Sequence, residues 1–383
     1  MIYFDNNATT PLTPAVLEAM LPFLSGSFGN PSSAYSPGRE AKAAVERARE
    51  SLATLLNVRR ADEIVFTSGG TESDNWAILG AIEATGKDHI ITTRVEHEAV
   101  RKLCEKLERG GKRVTRLDVD EDGTLDLDGL REALSAETAV VSVMLANNET
   151  GILFPVDKIG EIVKERSDAL FHVDGVNAVG KIPIDLAASE IDLFSISGHK
   201  FHAPKGVGAL YIREGVSLPP VSIGGGQEQG RRAGTEAVHQ IAGLGAAAEF
   251  VTDIEPMDRI RAMRDRLETE ILTRIPNSSL NGTSDPDRRL PNTSSISFEH
   301  TNGEMIMALL DDRGICVSTG SACNAHDHKA SAVLEAMNVP YAWAMGSIRF
   351  SLGRLNTEGE VDHLLEILPG IIDELGKISG RVA

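Results

Sequence analysis

Between residues 63 and 212, short apolar runs alternate with longer amphipathic ones, and this rhythm restricts the chain's fold more than any other feature of its 383 residues. Residues 63–67 (EIVFT), 89–93 (HIITT), 170–174 (LFHVD), 191–196 (IDLFSI) and 208–212 (GALYI) have strand length and strand composition. Residues 138–146 (TAVVSVMLA) form a continuous apolar run, as a strand covered on both faces requires. Residues 72–83, 99–109 and 158–166 carry helical patterns, and Gly110-Gly111 closes the second. Repeated strand–helix–strand order predicts an α/β fold with a large, mostly parallel sheet and helices on both faces. After about residue 250 the texture changes. A charged helix over 257–274, a polar loop over 281–292, a strand over 294–298 and helices over 304–312 and 360–377 predict a smaller α+β domain. The expected division is a large domain over residues 14–250, and a small one made of 1–13 and 251–383. Pro11, Pro14 and Pro22 break the N-terminal segment, and the sequence leaves open which domain it packs against.

Composition removes several classes of function. Lys and Arg total 38 against 56 Asp and Glu, a net charge of −18. That field disfavours nucleic acid and anionic membrane surfaces, because phosphate contacts need the opposite sign. No stretch approaches the roughly 20 apolar residues of a membrane span. The first six residues (MIYFDN) lack the pattern of a secretory signal, and three cysteines do not make a disulfide framework. A cytoplasmic protein is expected.

Three segments carry chemistry. Ser68-Gly69-Gly70-Thr71 joins a strand to a helix start, so its backbone N–H groups could face a phosphate; an ordinary turn capped by Thr71 is the plainer alternative. Asp174 ends a strand, where open α/β sheets bind ligands, although carboxylates there also serve as turn formers. Lys200, in Ser197-Gly198-His199-Lys200, follows another strand; such a lysine is usually solvated, but beside a phosphate cup and a buried acid it suits an imine-forming amine. A phosphate cup, an acid for a pyridinium nitrogen and an amine together describe a pyridoxal 5'-phosphate site.

Further segments sharpen this into a family resemblance. Asp5-Asn6-Asn7-Ala8-Thr9-Thr10, Gly29-Asn30-Pro31-Ser32-Ser33, Glu96-His97, Asn147-Asn148-Glu149-Thr150-Gly151, Arg232-Ala233-Gly234-Thr235, Ser321-Ala322-Cys323 and the run 348–354 (IRFSLGR) all resemble motifs of the NifS/IscS-type cysteine desulfurases. These are relatives of the class V aminotransferases, with the fold-type I architecture of pyridoxal-phosphate enzymes.

The resemblance implies a role for each matching position. Lys200 would carry the cofactor and move protons at the substrate Cα. Asp174 would pair with the pyridine nitrogen, and His97 would stack on the ring and take part in acid–base steps. Gly70, Thr71, Ser197 and His199 would hold the phosphate, with Thr235 reaching it from the neighbouring subunit of a homodimer. Asn148 would sit by the ring's phenolic oxygen. Arg349 would clamp the carboxylate of L-cysteine. Cys323 would accept the sulfur and pass it to an acceptor protein such as an iron–sulfur scaffold. A selenocysteine lyase or related β-eliminating enzyme, or an inactive sulfur-transfer scaffold, is the alternative.

The sequence departs from the family pattern at several places. Asn177 stands where Gln is usual, which puts its contact with the ring oxygen in question, and Tyr35 and Gln229 replace a common His and Arg. His326, Asp327 and His328 follow the thiol in place of a Thr/Ser/Gly-rich run. Cys323, His326 and His328 are ligand types that suit zinc, but their compact spacing shows no fourth partner, so no metal is expected and the residues read as a polar loop. Cys104 and Cys316 lie in apolar surroundings and read as core.

Overall fold

The structure is a computed structural model that describes residues 1–319 and 330–378. The chain opens with β1 (Ile2–Tyr3), α1 (Pro14–Leu24), α2 (Ser36–Leu55), β2 (Ile64–Thr67), α3 (Gly70–Thr85), β3 (His89–Thr93), α4 (Glu98–Arg109) and β4 (Arg113–Leu117). Then come α5 (Leu127–Ala133), β5 (Thr138–Met144), α6 (Val156–Arg166), β6 (Leu170–Asp174), β7 (Leu193–Ser197), β8 (Gly208–Ile212) and α7 (Val238–Thr252). The remainder is α8 (Pro256–Arg274), β9 (Ser278–Leu280), β10 (Thr293–Phe298), α9 (Gly303–Asp311), β11 (Ile315–Cys316), α10 (Ala332–Ala336), α11 (Tyr341–Ala344), β12 (Ser347–Ser351) and α12 (Glu358–Ile378).

The apolar rhythm of the sequence becomes one large sheet, ordered β2-β8-β7-β6-β5-β3-β4. β3, β4, β5, β6 and β7 run parallel, and β8 lies antiparallel to both β7 and β2. All seven residues of β5 are buried, which explains why its sequence shows no polar alternation. A second sheet, β12-β10-β9, is antiparallel, and β1 pairs with β11.

Two main apolar clusters follow. One surrounds the large sheet with α1, α2 and α7; the other joins Phe4 to α8, α9, α12, β10 and β12. Leu290, Val333 and Met337 pack with the first cluster although they come late in the chain. Each fully buried Leu, Ile or Val in such a cluster stabilises by about 1.5–3 kcal/mol relative to exposure.

The N-terminal prolines behave differently from expectation. Thr13 accepts from Val16 N as the cap of α1, Pro14 takes the first helical position, and the helix runs on through Pro22. A proline at the first turn lacks only an N–H that would have no partner there. The segment before α1 joins both clusters. β1 pairs with β11, Asn6 and Asn7 bind Ser351, and Thr10 binds the His199 carbonyl. It is a strap across the carboxyl end of the large sheet. Among the described residues no helix is long and apolar enough to cross a membrane.

Candidate active site

β5, β6 and β7 end beside one another, and the start of α3 faces them. Their carboxyl ends open into a cavity of about 350 Å³. Gly70, Thr71, His97, Asn148, Asp174, Asn177, Ser197, His199, Lys200 and Arg349 are all on its walls.

The local backbone explains the cup. Gly69 has φ of 146°, which L side chains rarely adopt, and it turns the chain from β2 into α3. Gly70 is the first helical residue, and a Cβ there would meet Val176 Cγ2 at 2.7 Å. The glycine lets Val176 pack closely on the N-terminus of a 16-residue helix, where N–H groups and the helix dipole favour an anion. Ser197 closes β7, and the next three residues form a 3₁₀ turn that presents His199 and Lys200. Burial and the nearby Lys200 push the His199 imidazole down to about 4, so it is neutral near pH 7.

Asp174 is buried at the end of β6, and its Oδ1 accepts from Val176 N at 2.9 Å. Burial raises its pKa, against the pull of His97, that N–H and Lys200. His97 caps α4 by accepting from Ala99 N, and its ring is exposed toward the cavity mouth. Desolvation by the surrounding walls lowers the His97 pKa. The Lys200 ammonium donates to the carbonyls of Asn7 and Ala8, on the N-terminal strap.

Arg349 projects from the buried strand β12. Its Nη1 donates to the Asn148 carbonyl at 2.8 Å and its Nη2 to Asp5 Oδ1 at 2.6 Å, while Nε is buried without a partner. These bonds use only part of a five-donor fork and fix its plane against the cavity.

Two further positions are placed as follows. Asn177 lines the cavity, but its amide is already engaged at both ends: Nδ2 donates to the Asn147 carbonyl at 3.2 Å and Oδ1 accepts from Lys181 Nζ at 2.8 Å. Thr235 is exposed and is not among the residues lining this cavity. Cys323, His326, Asp327 and His328 lie outside the described residues. Cys104 is fully buried and its thiol is pushed up to about 12, while Cys316 is half-buried with a raised pKa.

The fold also assembles residues that the sequence did not single out. Asn7 is the hub: its Oδ1 accepts from Lys181 and Asn292, and its Nδ2 donates to Thr293 Oγ1 and the Asn148 carbonyl. Burial drives the Lys181 pKa well below the usual lysine range. Asp5 and Asn7 belong to a motif whose resemblance was legible, whereas Lys181 had no signal beyond lying four residues after Asn177. Asp74 and Glu96 add two more buried carboxyl groups to the same walls.

Comparisons with known proteins agree with this geometry. The aminotransferase class-V family profile matches residues 2–364. A cysteine desulfurase of Gluconacetobacter diazotrophicus is 51% identical over 382 residues, covering 99% of this chain and 95% of its own. The cysteine desulfurase NifS of Azotobacter vinelandii is 47% identical over 381 residues, covering 99% and 94%. A solved structure of a NifS-like protein superposes with a TM-score of 0.91 at 39% identity, covering 98% of this chain and all of that one. The chain therefore belongs to the class-V aminotransferase family, on its NifS-type cysteine desulfurase branch.

Proposed function

We propose that this protein is a pyridoxal-phosphate-dependent cysteine desulfurase, converting L-cysteine to L-alanine and leaving the sulfur as a persulfide on Cys323. The observation that carries the reading is the convergence of Lys200, Asp174, Arg349 and the start of α3 on one cavity. These residues fit the cofactor. The helix start packs against Val176 too closely for a Cβ at Gly70, and a buried carboxylate and a primary amine line the same cavity.

When bound, pyridoxal phosphate supplies an aldehyde for an amine and a ring that takes up the electron pair left at an amino acid's Cα. Gly70, Thr71, Ser197 and His199 would hold its phosphate, Asp174 a proton at the ring nitrogen, and Asn148 the phenolic oxygen. Asn177 supports Asn147 and Lys181 instead. Lys200 Nζ would provide the amine and would move the proton at the substrate Cα. Arg349 binds the substrate carboxylate through donors not used by Asp5 and Asn148. His97, whose pKa desolvation lowers, would stack on the ring and could carry a proton to or from the substrate. The Cys323 thiolate attacks the substrate sulfur: an S–S bond forms, the Cβ–S bond breaks, and its electron pair stays on carbon and is protonated to give alanine.

The active unit in this reading is a homodimer in which Thr235 completes the partner's phosphate site. Support comes from the exposure of Thr235 and from Leu17, Leu21 and Leu24, which leave an apolar stripe on α1 uncovered, with Phe28 exposed just beyond it. The second apolar cluster, which joins Phe4 to residues between 257 and 375, supports a small unit of residues 1–13 with 251–383 beside a large one of 14–250, with Leu290, Val333 and Met337 reaching into the first cluster. A cytoplasmic setting keeps Cys323 reduced between turnovers, and an iron–sulfur scaffold suits the persulfide as acceptor.

The test is Lys200→Ala. It should abolish alanine formation and the visible absorbance of bound cofactor, because the imine needs a primary amine. Cysteine turnover equal to wild type would remove Lys200 from the mechanism and, with it, the reading.

A further inference from the structure

Five of the described acidic residues line the cavity, Glu98 and Glu149 among them; the other three are Asp174 at the end of β6, Asp74 in α3 and Glu96 after β3. Asp74 is 1% exposed and Glu96 4% exposed, so neither reaches bulk water. Their hydrogen bonds differ in kind. Asp174 accepts from a backbone N–H and is near His97 and Lys200. Glu96 receives both of its donors on a single oxygen: Thr93 Oγ1 at 2.7 Å and Met144 N at 3.1 Å reach Oε1. Its Oε2 is buried without a hydrogen-bond partner.

That asymmetry is what a carboxylic acid requires, one oxygen accepting as a carbonyl and the other free to donate as a hydroxyl. A carboxylate in the same place would leave an anionic oxygen desolvated and unpaired, at a cost of several kcal/mol in general.

Among the described residues, the charge that acts on Glu96 is that of Asp174, an acid, while Arg94, Arg101, Lys200 and Arg349 line the same cavity. Asp174 and Asp74 are acids, and the Cys104 thiol on α4 titrates far above neutrality. His172 on β6 is kept neutral by burial, with its ring nitrogens bound to Ser142 and Ser195 at 2.9 Å. Arg101 on α4 is committed to Glu98 and Glu105, and His97 is itself pushed toward its neutral form. Burial, with Asp174 adding to it, moves Glu96 up to about 8.

We propose that Glu96 is a neutral carboxylic acid in the working protein, a positioning residue on the cavity wall near Asp174. Keeping Glu96 uncharged leaves Asp174 as the anion available to a ring nitrogen. The purpose of the arrangement rests on the cofactor reading, but the protonation itself does not.

The test therefore starts with the bare chain. Glu96→Gln keeps an acceptor at Oε1 and a donor at the second atom, so it copies the neutral acid and not the carboxylate. Infrared difference spectra near pH 7 should show a protonated carboxylic C=O band in wild type that is missing in Glu96→Gln and retained in Asp74→Asn. With pyridoxal phosphate added, Glu96→Gln should bind it within about threefold of wild type at pH 7. Wild-type affinity should change through a transition near pH 8, and Glu96→Gln should lack that transition. Identical spectra for wild type and Glu96→Gln, or binding weakened about tenfold or more by the amide at pH 7, overturn the proposal. If wild type takes up no pyridoxal phosphate at all, the cofactor reading fails while the spectrum of the bare chain still decides the state of Glu96.

Discussion

At the scale of single residues, the site is a set of charges kept apart by their partners. Arg349 is planted by Asp5 and the Asn148 carbonyl, and Lys200 is met by two strap carbonyls. Glu96 gives this scale its sharpest prediction. Its folded pKa near 8 lies above the ordinary carboxylate value of 4.5. Between those two values the folded state holds a proton that the unfolded state has released, so stability falls as pH rises through this window and levels off above it. Glu96→Gln has no such proton. Relative to the variant, wild type should lose a few kcal/mol between about pH 5 and 8, read from urea unfolding at several pH values. A difference independent of pH would contradict this account. Much of the site was legible in the sequence because its residues sit in contiguous motifs at strand ends, as Lys200 and Asp174 do. The engagement of Asn177 was not, because it depends on Lys181 and Asn147, whose meeting is set by tertiary packing.

Among the elements, the strands were the easiest to read and the helices α2 and α7 the hardest. β5 shows itself through burial on both faces. α2 and α7 pack through small residues instead: Ala41, Ala44 and Ala48 face Gly245, Ala247 and Ala248, and a Cβ on Gly245 would come within 2.6 Å of Ala48 Cα. Such a close approach needs no large apolar stripe, so the sequence pattern is weak. α2 also anchors the loop that leads to Thr235. Arg49 makes a bidentate fork with Glu228, both bonds 2.8 Å, and lies 4.7 Å from the Phe66 ring centre. Glu228 also accepts from Phe66 N, and its φ of 48° is held by these contacts. Breaking a buried pair on one side strands the other charge. Glu228→Gln should therefore lower the unfolding free energy by about 3 kcal/mol, whereas Arg49→Met combined with Glu228→Leu should cost less. Equal losses in the two variants would show that no buried charge is stranded.

Across the whole molecule, the strap of residues 5–10 ties the β12 side of the structure to the Lys200 turn, so Arg349 and Lys200 share one anchor. The composite-site reading predicts that activity and cofactor retention fall together on dilution as the dimer dissociates, and that Thr235→Ala weakens cofactor retention without unfolding the chain. Full activity in a monomer, confirmed by sedimentation, would contradict it. The central claim concerns where sulfur goes. In the proposed mechanism Lys200 and Asp174 serve the aldehyde chemistry and Cα deprotonation, and alanine formation also needs a thiolate; the two described cysteines have thiol pKa values raised by burial. The most direct measurement is a single turnover of L-cysteine in wild type, Cys323→Ser, Cys104→Ser and Cys316→Ser, scored by alanine formed and by mass-spectrometric mapping of the persulfide. Wild type, Cys104→Ser and Cys316→Ser should yield alanine with the persulfide on Cys323, and Cys323→Ser should bind cysteine yet form no alanine. Persulfide on Cys104 or Cys316 in wild type, or undiminished alanine from Cys323→Ser, would contradict the account.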